Sequence, residues 1–575
     1  MSKLGGVTVE RAVPCEMRDG TVLFADIYRP EEMDKPLPIL LMRQPYGRRI
    51  ASTVTYAHPI WYARHGFIVV VQDVRGRGDS LGVFEPFIQE IEDGYDAVEW
   101  AARLPGSNGK VGMYGFSYQG YTQLAAAAAR PPHLVAIAPA MCAADLFHGW
   151  FYPLGRLSIG VTLPWAAQLA RDEARRRHLP NIEERLTEIM VNPGPWLRHL
   201  PLNELPEITD LAPFYRDWVE HSTYDDYWVA RNLLPKLTEW CVPAYHIGGW
   251  FDPYLHGTLQ TFEAIFQSGN EAARQQRLLI GPWAHIPWGE RVAGSSFGRM
   301  AAGHVDRELV RWFKYWLHGE GDINEIPLVR YFELGSNVWR TANAWPVDTI
   351  EEHKVWYLTS VDDPANGALG GGNLCEGSNP SHSSLDLFVY DARLPMPCES
   401  FLPVDRSEIQ QRNEILVYTS SPLPKPIHVA GSPRVVVWVN ALGGPTDLVV
   451  VLTVVGEDGT AKFLSIGRGF VPSLEQEVNI GYIDHAQNSS MDGWLELTIM
   501  MRPIAVQLKQ GESIRLELTG SAFPLIARYP NHVNENELAH IGPEKLQIAT
   551  VAVASSSHHP SRIYLPVIRP SESEV

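Results

Sequence analysis

Three residues in this chain could together make a nucleophile: Ser117, Asp252 and His285. A serine hydroxyl is weakly nucleophilic at its free pKa, so it needs a base beside it, and the base needs a third group to fix its tautomer. Ser117 lies in 109–131, GKVGMYGFSYQGYTQLAAAAARP. There, β-prone residues 111–114 are broken by Gly115, and a helix-favouring segment with five consecutive alanines runs over 118–130 until Pro131-Pro132 stops it. A serine at such a bend presents its hydroxyl at the carboxyl edge of a sheet, where the free N–H groups and dipole of the helix favour negative charge. The pattern departs from the usual G-x-S-x-G elbow, because Gln119 takes the place of the second glycine and Gly120 follows it. Singly, each residue has an ordinary alternative: Ser117 as an N-cap, Asp252 before Pro253 as a turn start, His285 as a core histidine with one hydrogen bond.

Their conjunction changes the weighting. Asp252 follows the apolar strand read at 244–247, and His285 follows the strand read at 278–280. The chain order Ser, Asp, His with each residue just past a strand is the α/β-hydrolase order, and the segment between Asp252 and His285 suits one crossover helix. The elements that must position them agree. Segments 21–30 and 37–47 read as strands, 56–65 as a helix, 67–71 as a strand buried on both faces, and 92–104 as a helix before the Ser117 strand. Alternation at this spacing predicts a mostly parallel α/β sheet. In the loop after 67–71, Gly76-Arg77-Gly78 is too short for a dinucleotide fingerprint, and Arg77-Gly78-Asp79 is an adhesion tripeptide that arises often by chance.

Residues 145–240 are aromatic and charged with helical stretches, while the sheet pattern resumes at 241, so this part reads as a helical insertion over the carboxyl edge. Residues 304–318 read as a helix with a core-facing Trp312/Trp316 stripe. Beyond about residue 355 β-prone runs separated by Gly- and Asp-containing turns predict a β-sandwich or jelly roll. The expected division is 1–144 with 241–350 as the sheet domain, 145–240 as a cap, and 351–575 as the β domain.

Composition limits what this machinery serves. The chain has 575 residues, 45% hydrophobic, which is too long for one core. A net charge of −18 argues against nucleic acid and anionic membrane surfaces. Five scattered cysteines, never in C-x-x-C spacing, indicate neither a disulfide framework nor a thiolate metal site. With no apolar leader and no long apolar run, the expectation is a cytoplasmic protein that meets no membrane.

The motifs QPYG (44–47), QDVRGRGDSLG (72–82), VGMYGFSYQG (111–120), GGWFDPY (248–254), GPWAH (281–285) and GSPRVVVWV (431–439) resemble the family of bacterial cocaine esterase, the α-amino acid ester hydrolases and the X-prolyl dipeptidyl aminopeptidases. The resemblance covers nearly the whole chain. It implies an α/β-hydrolase domain with an inserted helical cap and a C-terminal jelly roll, the active site lying where the three meet. It also makes Gln119 a family trait, and it assigns Tyr46 and the N–H of Tyr118 to an oxyanion hole. Family pockets are aromatic, and the matching positions are Trp150 or Phe151, Trp165 and Tyr254. Asp210, Asp225 and Asp226 match no motif for an ammonium anchor and read as a solvated acidic face.

The expected function is a serine hydrolase that cleaves a small carboxylic ester through an acyl-enzyme, with neither cofactor nor metal. The alternatives are an amidase or X-prolyl dipeptidyl aminopeptidase of the same superfamily, or a non-catalytic glycan-binding protein using the jelly roll. Oligomeric state is left open between monomer and homodimer.

Overall fold

Strands covered on both faces must be apolar along their whole length, and LPILLMRQ and IVVVQD are buried throughout. The computed structural model describes residues 2–49, 55–286, 288–347, 350–377, 381–473, 486–489, 493–532 and 539–569. Its first sheet has eleven strands. These are β1 (Ser2–Leu4), β2 (Val7–Glu16), β3 (Val22–Pro30), β4 (Leu37–Gln44), β5 (Ile68–Asp73), β6 (Ser107–Phe116), β7 (Leu134–Ala140), β8 (Tyr245–Gly249), β9 (Arg277–Gly281), then Val329–Glu333 and Val338–Ala342. The spatial order is β1-β2-β3-β5-β4-β6-β7-β8-β9 followed by the last two. Strands β4 to β9 and Val329–Glu333 pair in parallel, and antiparallel strands flank them on both sides. The parallel centre is the sheet expected from the sequence. The flanking β1, β2 and the hairpin 329–342 are additions to it.

Alternate residues of β4 and β5 enter different cores, as a period of two requires. Leu40, Met42, Val69 and Val71 pack with Tyr62, Trp312 and Phe313, while Ile39, Leu41, Ile68 and Val70 pack with Ala97, Leu124 and Ala127. The helix Tyr118–Ala128 is buried along its length. Its alanines let Glu90–Ala102 approach so closely that a Cβ on Gly94 would meet Ala126 at 3.0 Å. The helix expected at 56–65 is shorter, Pro59–Ala63. The one expected at 304–318 is an α-helix, Val305–Phe313, followed by a π turn, Lys314–His318. Its core stripe is Leu309, Trp312, Phe313 and Leu317, with Trp316 only partly buried, because the π turn rotates that ring out of the helical register.

Between β7 and β8 lie the cap helices, of which Ile159–Arg176 and Pro180–Val191 are the longest. Among the described residues, fourteen of the strands from Ile350–Thr359 to Arg562–Ile568 form one system, the jelly roll, and Pro397–Cys398 pairs separately with Phe523–Pro524. Polar contacts tie it to the other parts: the buried Arg156 of the cap pairs with Asp447 at 3.0 Å, and the half-buried His428 Nδ1 lies 2.7 Å from Glu333 of the sheet.

At the turn after β6, Gly120 sits against the next strand, where a Cβ would meet the Cys142 sulfur at 2.7 Å and the Ala140 carbonyl oxygen at 2.8 Å. Neither contact is a flexible chain end, so Gly120→Ala is expected to destabilise the fold by about 1–3 kcal/mol. Urea denaturation checks this, and a midpoint equal to wild type would mean that the glycine is not required for helix–strand packing.

Candidate active site

Ser117 follows β6 directly and precedes the first helical residue, Tyr118, with φ 59° and ψ −128°. A non-glycine residue in that region is strained and is held there by its surroundings. Its N–H donates to the Ala140 carbonyl at 2.8 Å, and its own carbonyl accepts from Gly120 and Tyr121 at 2.8 and 3.1 Å. Within residues 115–120, both glycines, Gly115 and Gly120, lack room for a Cβ. Gln119 lies over Gly115, its Oε1 accepting from the Phe116 N–H at 3.4 Å. The displaced glycine of the motif thus has a steric reason: position 119 has room for a side chain and position 120 does not.

Asp252 follows β8 and His285 follows β9, neighbours in the sheet. Asp252 is completely buried, and its Oδ1 accepts from His285 Nδ1 at 2.7 Å. A carboxylate can only accept, so this bond puts the imidazole proton on Nδ1 and leaves Nε2 as the basic nitrogen. The two loops are knit by backbone: Trp250 N–H donates to Gly281 at 2.9 Å and Phe251 N–H to Trp283 at 3.0 Å. The His285 ring packs between Phe116 and Tyr254, with centroids 5.4 and 5.1 Å away.

Tyr46 stands at the end of the β4 loop, where a buried network fixes it. Its N–H donates to Gln44 Oε1 at 2.7 Å, and Gln44 Nε2 donates to Asp73 Oδ1 at 2.8 Å. Arg48 binds Asp26 at 2.8 Å and Asp73 at 2.5 Å, with all three side chains almost wholly out of solvent. The loop 74–79 wraps the same carboxylate. Gly78 has φ +54°, and any Cβ there would collide with Asp73. Arg77 is buried, donating to the Leu169 carbonyl at 2.9 Å, so the Arg-Gly-Asp tripeptide is a structural turn. Trp165 Nε1 donates to the Tyr46 hydroxyl at 3.2 Å. Burial pushes the Tyr46 phenol up to about 12, against the opposing hydrogen bonds of Trp165 and Ser117, so it remains an O–H donor at neutral pH. Tyr118 turns its ring away, donating to Glu90 at 3.0 Å. Its N–H, the first of the helix, has no acceptor within the helix.

Ser117, Tyr46 and His285 line one cavity of about 440 Å³ with Phe116, Val161, Trp165, Met190 and Tyr254. Of the aromatic positions singled out in the sequence, Trp165 and Tyr254 are in its wall. Trp150 lies one ring behind, stacked on Tyr254 at 4.2 Å. Phe151 is not in that wall: it is fully buried, 4.7 Å from Trp218 and 5.2 Å from Trp228. The cavity also has a charged end that the sequence reading did not include, with Gln168, Arg171, Asp172 and Arg175 from one cap helix. Their spacing on a helix was the available signal, but only the fold shows which face meets the cavity. Asp210, Asp225 and Asp226 are not in its wall. Asp225 caps the helix Asp226–Val229 and binds His221 at 2.6 Å. All five cysteines are free, and among the described residues no cluster could hold a metal ion.

Comparison with known proteins agrees with this architecture. Residues 19–287 match the X-Pro dipeptidyl-peptidase (S15 family) model, and residues 322–563 match the X-Pro dipeptidyl-peptidase C-terminal non-catalytic domain. Cocaine esterase from Rhodococcus sp. (strain MB1 Bresler) is 31% identical across 98% of this chain and 99% of its own. The chain belongs to the family of cocaine esterase and the X-Pro dipeptidyl-peptidases. Beyond the cocaine esterase family, the fold is shared more widely than the sequence. An α-amino acid ester hydrolase structure superposes with a TM-score of 0.78 at 22% identity, covering 98% of this chain and 97% of that one. An aminopeptidase from a marine sediment Thaumarchaeota archaeon superposes with 0.79 at 22%, covering the same shares. No described helix is long and apolar enough to cross a membrane.

The Arg48 network generates a stability prediction. Removing one partner of a buried ion cluster leaves charge uncompensated, so Arg48→Met is expected to destabilise the protein by about 3–5 kcal/mol. Chemical denaturation measures this. Wild-type stability would show that Asp26 and Asp73 do not depend on the guanidinium.

Proposed function

We propose that this protein is a serine hydrolase that cleaves a neutral carboxylic ester through an acyl-enzyme. The observation that carries the reading is the 2.7 Å hydrogen bond from His285 Nδ1 to the buried Asp252, made at the wall of a cavity that Ser117 and Tyr46 also line. In the reaction, His285 Nε2 accepts the Ser117 proton as Oγ attacks the ester carbonyl carbon. The oxygen that becomes negative receives hydrogen bonds from the Tyr46 hydroxyl and the Tyr118 N–H. Collapse breaks the C–O bond, His285 returns the proton to the departing alcohol, and water repeats the sequence to free the acid and Ser117. Asp252 holds the imidazole proton on Nδ1 throughout.

Amide or dipeptide substrates with a free amine are less well served. An ammonium group needs an uncompensated carboxylate, and Asp172, the acidic side chain of the cavity wall among the described residues, has Arg175 at 3.6 Å and Arg171 at 4.0 Å. Hydrolysis of matched neutral and α-amino p-nitrophenyl esters, with the corresponding anilides, tests the reading. Turnover is expected to be highest on the neutral ester and to vanish in Ser117→Ala, whose thermal midpoint stays near wild type. Full turnover in that variant would remove Ser117 from the reaction.

Because Tyr46 is held protonated, kcat on a neutral ester is expected to rise with pH as the base loses its proton and then to stay level to about pH 9, with no loss from ionisation of the phenol. Tyr46→Phe should lower kcat by about 10²–10³ with little change in KM. A wild-type kcat in Tyr46→Phe, under conditions where chemistry limits the rate, would return Tyr46 to a structural role.

A further inference from the structure

Arg502 belongs to the jelly roll, yet its guanidinium ends beneath the loop that carries Asp252. Its backbone is pinned in its own domain: its N–H donates to Ile466 at 2.8 Å, and its carbonyl accepts from Ser465 Oγ at 2.6 Å. From there the side chain runs over the Phe401 ring, 3.9 Å from the centroid, and Nη2 donates to the carbonyls of Trp250, at 3.3 Å, and Asp252. The residue is 8% exposed. The same loop gives its Trp250 and Phe251 amides to Gly281 and Trp283, on the segment that leads to His285. Residues 250–252 are therefore gripped from two sides, by the base-bearing segment through their N–H groups and by the jelly roll through their carbonyls.

The charge matters as much as the grip. Asp252 is wholly buried, and its Oδ2 accepts no hydrogen bond from a described residue. A carboxylate out of water is tolerated when a cation compensates it. Arg502 bonds the backbone carbonyl of that residue, so its charge acts nearby without drawing the carboxylate away from His285. Burial pushes the Arg502 guanidinium down to about 10, and the attraction of Asp252 opposes the shift, so the side chain stays cationic at neutral pH. His256, on the helix that follows the loop, is also under its field and is held below the ordinary imidazole range by desolvation first and the Arg502 charge second, while Cys142 and Tyr254 face Asp252, whose charge adds to burial in raising both.

We propose that Arg502 is a positioning residue for catalysis, through which the jelly roll holds the 250–252 loop by its carbonyls and compensates the buried Asp252 charge. The proposal rests on the Ser117–His285–Asp252 reading. Removing the cation raises the proton affinity of the Asp252–His285 pair, whichever member holds the proton, so more alkaline solution is needed to free the base.

The experiment is the pH profile of kcat/KM on a neutral p-nitrophenyl ester for the full-length wild type, Arg502→Met, Arg502→Lys and Ser117→Ala. Arg502→Met is expected to lose roughly 10–100-fold in kcat with little change in KM, and its acid limb should move to higher pH. Arg502→Lys should return the limb toward the wild-type position. Should Arg502→Met fail to fold, Arg502→Gln, which keeps an N–H donor without charge, gives the same reading of the limb. An acid limb unmoved in the neutral variants, whatever their kcat, overturns the electrostatic role. Wild-type kcat in Arg502→Met overturns the proposal entirely while an inactive Ser117→Ala leaves the triad reading standing. An active Ser117→Ala overturns the triad reading itself.

Discussion

A carboxylate with no exposure to water has to be held by something, and Asp252 has one side-chain hydrogen bond, from His285. Isolated burial of that charge is prohibitive. The fold meets the constraint in layers. Strands β8 and β9 are parallel neighbours, so their carboxyl ends deliver Asp252 and His285 to the same edge. Gly249 lets the two loops close, since a Cβ there would lie 2.3 Å from the Trp283 carbonyl oxygen. Arg502 then approaches from the jelly roll, with its guanidinium on the loop backbone. Through Arg502 the second domain reaches the Asp252 loop, although none of the residues lining the Ser117 cavity belongs to it.

A similar solution serves the Tyr46 side of the cavity. Asp73 ends β5 as Asp252 follows β8, and its burial is matched by Arg48, Gln44 and the turn at Gly78. What emerges is a Tyr46 hydroxyl fixed at the cavity wall and kept protonated by its own burial. Cap residues complete the enclosure, Trp165 touching both Tyr46 and the stacked Trp218. Donors held rigid in a dry cavity are worth more to a developing oxyanion than the same donors in water.

The parts legible in the sequence were those written locally. Ser117 is announced by a strand, a glycine and an alanine-rich helix within one stretch, and the parallel centre of the sheet by uninterrupted Val and Ile. Asp252 and His285 needed chain order and family motifs, because an aspartate before proline and a histidine after alanine say little alone. Gln119 looked like a departure until the backbone showed that Gly120 bears the close approach. Phe151 packs behind the cavity wall rather than in it, because an aromatic in a cap packs against other aromatics as readily as against a ligand. Arg502 was out of reach: its role depends on how a distant β domain folds back, and nothing within its own segment, MMRPIAV, signals a partner some 250 residues away. The flanking strands of the sheet were missed for a different reason: β1 and the hairpin 329–342 are short, and the ten-residue β2 is only partly buried and carries charged residues.

The central claim is that Ser117 is activated by His285 rather than merely capping a helix, and reaction with a fluorophosphonate reads activation directly, without knowledge of the natural substrate. Intact-protein mass spectrometry should find one adduct per chain in wild type, mapped by peptide sequencing to Ser117, with no adduct in Ser117→Ala and strongly slowed labelling in His285→Ala. Absence of labelling in folded wild-type protein, or equal labelling in Ser117→Ala, would contradict the account.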